Sequence, residues 1–133
     1  MGAEPLLVVD AANVVGSRPD GWWRDRAGAT VRLRDSLAPI AHSGRPDLPP
    51  PLEVVLVVEG AARRVAGTAA VRVVAAAGSG DDAIVALVRA EVGDRICVVV
   101  TADRELRARV TALGAEVRGP RWLGLPTGRS TSP

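Results

Sequence analysis

The chain has no lysine, no tyrosine and no phenylalanine, and it holds one cysteine, one histidine and one methionine in 133 residues. Each scarcity closes a class of chemistry. Without lysine there is no P-loop lysine and no Schiff base, and without tyrosine no phenolic acid. The base-stacking Phe and Tyr side chains of an RNA-recognition motif are missing too. A single histidine allows at most one imidazole base and no multi-histidine metal centre. A single cysteine forbids an internal disulfide and any multi-cysteine metal site. Long apolar runs are also lacking: Val54 to Val58 and Ile96 to Val100 fall far short of the about 18 residues that a membrane span needs. No charged leader with an apolar segment precedes Leu6, so the expectation is a cytoplasmic protein with no membrane partner.

What is present reads as one globular domain. The chain is 47% hydrophobic and 24% charged, and its length suits a single core. All 17 basic residues are arginine, against 15 acids, for a net charge of +2. A balance that close to neutrality does not by itself argue for nucleic acid.

Short apolar runs alternate with helix-like stretches. Strands are expected at Leu6 to Val9, ending at Asp10, and at Val54–Val58, Val71–Ala76 and Ile96–Val100, with a short fifth starting at Glu116-Val117. Helices are expected from Trp22 to about Ala41, briefly over Ala61–Val65, over Asp81–Val92 and over Arg104–Leu113, the last closed by Gly114. In the first of these, Trp23, Ala27, Val31 and Leu37 share one face. His42 to Pro51 reads as a loop. The strands are apolar throughout instead of alternating, which suits a parallel sheet covered on both faces. Alternation with helices suits right-handed βαβ units, so the expected class is a three-layer α/β/α sandwich. The domain spans 1–123, and the Gly/Ser/Thr/Pro-rich stretch 124–133 reads as a flexible tail.

In open parallel sheets ligands bind beyond the carboxyl ends of the strands, so the residues after each strand matter most. Strand one is followed by Asp10, strand two by Glu59, strand three by Ser79-Gly80-Asp81-Asp82 and strand four by Asp103. Five of the fifteen acids therefore gather on one rim. Each has a plainer role. Asp10 suits an Asx-turn, Ser79 with Asp82 a capping box, Asp103 a helix N-cap, and Glu59 a solvated strand end. Crowded together, however, these carboxylates repel one another, and a divalent cation removes that penalty. Oxygen ligands without His or Cys select Mg²⁺ or Mn²⁺. Such an ion activates a water and stabilises a developing alkoxide, the requirements of phosphodiester hydrolysis. Asn13, one turn past Asp10, offers an amide that can hold a water or a phosphate oxygen without adding charge.

Three stretches taken in order, Leu7-Val8-Val9-Asp10-Ala11-Ala12-Asn13, Gly78-Ser79-Gly80-Asp81-Asp82 and Val100-Thr101-Ala102-Asp103-Arg104-Glu105-Leu106, resemble a bacterial NYN domain of the PIN-like ribonuclease superfamily. The resemblance spans residues 7 to 106. It implies a parallel sheet ordered 3-2-1-4-5 and Mg²⁺- or Mn²⁺-dependent cleavage of RNA. It makes Asp10, Asp81 or Asp82, and Asp103 the metal-binding acids, with Asp10, Asn13, Asp82 and Asp103 as the catalytic set. Asn13, Ser79, Arg104 and Arg18 are the candidate substrate contacts, and a homodimer is left open. Where many NYN domains carry a glycine between the first Asp and the Asn, this chain has Ala11 and Ala12. Glu59 has no counterpart in the motifs and rests on placement alone.

Two other readings keep part of this frame. The same acids serve a phosphohydrolase acting on free nucleotides, and the same fold serves a non-catalytic module that docks RNA or protein. Gly78-Ser79-Gly80-Asp81-Asp82-Ala83 matches a dinucleotide fingerprint on paper. It follows the third strand and not the first, and two carboxylates stand where a pyrophosphate would approach the helix. Trp22 and Trp23 with Arg18, Arg24 and Arg26, Arg63 with Arg64, and Trp122 with Arg118 and Arg121 have the composition of phosphate and base contacts. Tryptophan at helical spacing is more often core, and arginine on a helix more often solvated.

Overall fold

The runs Leu6–Val9, Val54–Val58 and Cys97–Val100 have no polar face, so each must be covered on both sides. A computed structural model describes residues 3–18 and 21–125, and it meets that requirement with a single sheet between two helical layers. The strands are β1 (Leu6–Asp10), β2 (Glu53–Val58), β3 (Val71–Ala75), β4 (Cys97–Val100) and β5 (Glu116–Arg118). All pair in parallel in the order β3-β2-β1-β4-β5, as expected. The helices are α1 (Ala11–Gly16), α2 (Arg26–Ser43), α3 (Gly80–Glu91) and α4 (Arg104–Ala112).

β1 lies at the centre, with all five residues buried. Leu7 and Val9, with Val54, Leu56, Val58, Val98 and Val100, face α1 and α2. Leu6 and Val8, with Val55, Val57, Cys97 and Val99, face α3 and α4. The register aligns Val9 with Leu56 on one side and with Val100 on the other. The carboxyl ends of β1, β2 and β4 therefore finish level. The strand order switches between β1 and β4, the place where ligands collect in such folds.

Several boundaries differ from expectation for local reasons. A short helix, α1, starts directly from β1 because Asp10 caps it, its carboxylate accepting from the Asn13 amide at 3.4 Å. The helix expected over Trp22–Ala41 is two pieces, a 3-10 turn at Trp22–Arg24 and then α2. Asp25 separates them. Its extended φ of −154° breaks the helix, and its carboxylate caps the new one at Gly28 N, 2.9 Å away. The break resets the helical phase. The buried face of α2 is Ala29, Thr30, Leu33, Leu37, Ile40 and Ala41, and Trp23 points to solvent. α2 also runs through Pro39 and past His42 into the expected loop, with the buried Leu37 and Ile40 on either side of the proline. The short helix expected at Ala61–Val65 shrinks to a 3-10 turn at Gly60–Ala62, and a further 3-10 turn forms at Pro120–Leu123. Ile96 lies outside β4 and is exposed. Of the expected tail, Leu125 packs against the core, while 126–133, like part of the loop at 17–20, lies outside the described residues. No helix among the described residues is long and apolar enough to cross a membrane.

Leu33 is fully buried where α2 meets the sheet. Leu33→Ala is expected to cost about 2–5 kcal/mol, measured as a shift in the urea midpoint at unchanged slope.

Candidate active site

The rim at the carboxyl ends is organised around Asp10. As the last residue of β1 it is only 4% exposed. An isolated buried carboxylate is costly, so both of its oxygens are engaged. Oδ1 accepts from the Asn13 backbone amide, and Oδ2 accepts from the Thr101 hydroxyl at 2.9 Å. Burial nevertheless holds the Asp10 carboxyl above the ordinary carboxylate range. The bonds from Thr101 and Asn13 pull it back down, and the charges of Asp81 and Glu59 push it up again.

Thr101 was given no role by the sequence, and it is the hub of the site. It is fully buried one residue past β4. Its oxygen donates to Asp10 and accepts from the Asp103 backbone amide at 3.1 Å, so it joins the ends of β1 and β4. Asn13 makes a second tie: its side-chain oxygen accepts from the Ala102 amide at 2.8 Å. That leaves the Asn13 NH₂ group as the end that can face a ligand.

Asp103 caps α4, Oδ1 accepting from Leu106 N at 3.0 Å, and its second oxygen has no bond to a described residue. Ser79 caps α3, its hydroxyl accepting from Asp82 N at 3.2 Å. The N-cap roles of Asp103 and Ser79 are therefore real, but the return bond of a capping box is not made among the described residues, because Asp82 pairs with Arg109. The two acids after Ser79 then separate. Asp82 is 74% exposed on its side chain and accepts from Arg109 of α4 at 3.1 Å. Asp81 is half-buried and faces the other acids. Its carboxyl is pushed up first by burial, then by the charges of Asp103 and Glu59, while Arg109 opposes the rise. Glu59 leans over the start of α3: a Cβ at Gly80 would stand 2.9 Å from its Oε1. Arg104, the first residue of α4, is exposed and makes no ion pair with a described residue. Arg18 lies just past α1, half-buried.

Asp10, Glu59, Asp81 and Asp103 thus share one end of the sheet, Asp10 under the charges of Asp81 and Glu59 and Asp81 under those of Asp103, Glu59 and Asp82, while Asp82 pairs with Arg109. Among the described residues no three His, Cys, Asp or Glu side chains converge into a ready cage for a metal ion. The donor chemistry still fits Mg²⁺ or Mn²⁺. Mg²⁺ commonly takes only one or two carboxylates, keeps waters, and completes its shell with phosphate. Asp10 and Asp81, pushed up first by burial and then by neighbouring charges, are the acids a cation would relieve.

In sequence the chain matches no protein-family profile and no curated protein. In structure it is similar to Rae1 (YacP) from Bacillus subtilis, with a TM-score of 0.71 at 20% identity, over 89% of this chain and 70% of that one. A single-residue mutant of the same protein matches at a TM-score of 0.67 over the same shares. The likeness shows the fold, a five-stranded parallel α/β sheet ordered β3-β2-β1-β4-β5.

Two outcomes test the geometry. Thr101→Val keeps the shape but strands the Asp10 carboxylate and the Asp103 amide, and is expected to cost about 1–3 kcal/mol in urea unfolding. Asp10 and Asp81 are both pushed up, so the native chain holds protons that the unfolded chain has released. Their contribution is complete below an unfolded pKa of about 3.9 and is lost as pH rises through the raised native values. Tm measured against pH is expected to fall across that window, and Asp81→Asn to flatten the fall.

Proposed function

We propose that this protein is a divalent-metal-dependent ribonuclease whose working acids are Asp10, Asp81 and Asp103, with Glu59 beside them. The observation that carries the reading is the placement of these four carboxylates on one end of the sheet beside the strand-order switch, where burial first, and then the charges of neighbouring acids, raises Asp10 and Asp81. The motif set resembling NYN domains supports RNA as the substrate, and the likeness to Rae1 supports the fold on which that resemblance depends.

Mg²⁺ or Mn²⁺ bound at this rim would supply water activation and neutralise phosphate charge. The chain's own groups divide the remaining work. Asp103 presents its unbonded oxygen while its other oxygen holds the first turn of α4. Asp81 presents a half-buried carboxylate from the start of α3. Asp10, held by Thr101 and Asn13, sets the position of the charge at the centre of the sheet. The Asn13 NH₂ group orients a phosphate oxygen or a water, and Arg104, exposed next to Asp103 and without an ion pair to a described residue, offsets charge on the scissile phosphate. Asp82 serves chiefly to fix α3 against α4 through Arg109.

Asparagine caps a helix as well as aspartate, and Asp81 is not a cap, so Asp103→Asn and Asp81→Asn should both fold. On labelled single-stranded RNA with Mn²⁺ or Mg²⁺, the wild-type chain is expected to cleave, and EDTA to stop it. Asp81→Asn and Asp103→Asn should each lose roughly a hundredfold in rate, and Thr101→Val about tenfold as an outer partner. Asp82→Asn should change the rate far less. Metal-dependent hydrolysis of free nucleotides without RNA cleavage would move the substrate, and RNA binding without cleavage would leave a docking module.

A further inference from the structure

A cavity of about 330 Å³ opens beside the acid rim, and Ala12, Trp22, Arg26, Thr30, Glu59 and Gly60 are among its walls. It lies at the small end of the range for ligand pockets. Glu59 belongs to both features, since it lines the cavity and its charge acts on Asp10 and Asp81. The Trp22 ring is half-buried against the core, and the Arg26 guanidinium lies 5.3 Å from its centroid. Trp23 meets it edge-on at 6.1 Å and is 59% exposed, with Arg24 at 5.8 Å. Most of the Trp23 ring still faces solvent beside the half-buried Trp22, so the Trp22–Trp23 step offers aromatic surface to a partner. At the cavity floor Thr30 is buried, and its hydroxyl donates to the Arg26 carbonyl at 2.8 Å, leaving its oxygen free to accept. Gly60 is shared with a second, shallower hollow lined by Arg63 and Arg64, both exposed and without an ion pair to a described residue.

We propose that this cavity holds one unpaired nucleobase of an RNA strand against Trp22, with Trp23 stacking a neighbouring base and Arg63 and Arg64 following the backbone. The inference rests on the ribonuclease reading and names the form of its substrate. An aromatic wall flanked by guanidinium groups suits a flat, electron-rich ring. The acceptors at Glu59 and Thr30 suit amino and imino hydrogens on a base edge. The cavity closes against the core, so a base must be unstacked and unpaired to enter it, which favours single-stranded segments over duplex. Bound there, a base would place its own phosphates at the acid rim through Glu59.

The test uses a fluorescein-labelled hexaribonucleotide and a strand of the same length and charge that lacks bases, titrated in EDTA and read by anisotropy. The wild-type chain is expected to bind the base-bearing strand roughly tenfold more tightly. Trp22→Leu should erase that preference. Ala12→Leu, at an exposed helix position on the cavity wall, should erase it too while leaving the circular dichroism unchanged, which covers the case in which Trp22→Leu does not fold. Equal binding of both strands, no binding of either, or a preference that survives Ala12→Leu overturns the pocket. Cleavage is scored in parallel with Mn²⁺. A base preference without cleavage supports the pocket and removes the ribonuclease reading, whereas cleavage without a base preference keeps that reading and removes the pocket.

Discussion

The structure depends on keeping one carboxylate buried at the end of its central strand. Asp10 has almost no contact with solvent, and water cannot compensate its charge. The protein compensates it with two bonds from different parts of the chain, the Asn13 amide from the helix that follows and the Thr101 hydroxyl from the strand alongside. Each bond forces a neighbour into place. The Asn13 amide fixes the first turn of α1, and the Asn13 side chain then holds the Ala102 amide. Thr101 must lie at the end of β4 in register with β1, and its oxygen in turn positions the start of α4 through Asp103 N. The strand-order switch is thus pinned by polar bonds at the point where a purely apolar sheet would be free to slip.

The same constraint sets the electrostatics. With Asp10 held in place and Glu59 at the end of the adjacent strand, the start of α3 brings Asp81 into an already negative field. Arg109 takes one of the two successive acids and leaves the other facing the rim. An acid-rich end with one cation engaged on its outer side is destabilising by itself, which is the general condition of sites that bind charged ligands. The arginines near the rim (Arg104, Arg63 and Arg64) make no ion pair with a described residue, so their charge is available to an anionic strand.

How much of this could be read from sequence follows from the range of each interaction. The strands were legible because burial on both faces writes itself as unbroken runs of Val and Leu, as in Val54–Val58, whereas their order in the sheet followed only from the resemblance to NYN domains. The acids at the strand ends were legible for the same reason, since a charge that ends such a run is conspicuous. The assignment between Asp81 and Asp82 was not, because it depends on Arg109, which approaches from a different helix. Thr101 was quoted within a motif yet carried no visible signal, since its role depends on Asp10, ninety-one positions away. Trp23 was misplaced because Asp25 interrupts the helix, and a face drawn through that break mixes two phases. Asp25 just ahead of a helical pattern is an N-cap signal that the hydrophobic stripe concealed.

The capping roles and the functional roles of these acids do not compete. Asp103 spends one oxygen on Leu106 N and has no bond to a described residue at the other. Ser79 caps α3 in place of an acid, which frees Asp81 and Asp82 from that task. Helix N-termini point amide hydrogens and positive dipole toward the rim, so they lower the cost of gathering carboxylates there. An acid at such a terminus is rigid, because its own backbone is held by the cap, and rigidity is what a site needs if its charges are to keep their spacing through turnover. The local rule that explains each acid by itself is therefore also the device that lets several be held together. Replacing aspartate by asparagine separates the two contributions, since the cap survives and the charge does not.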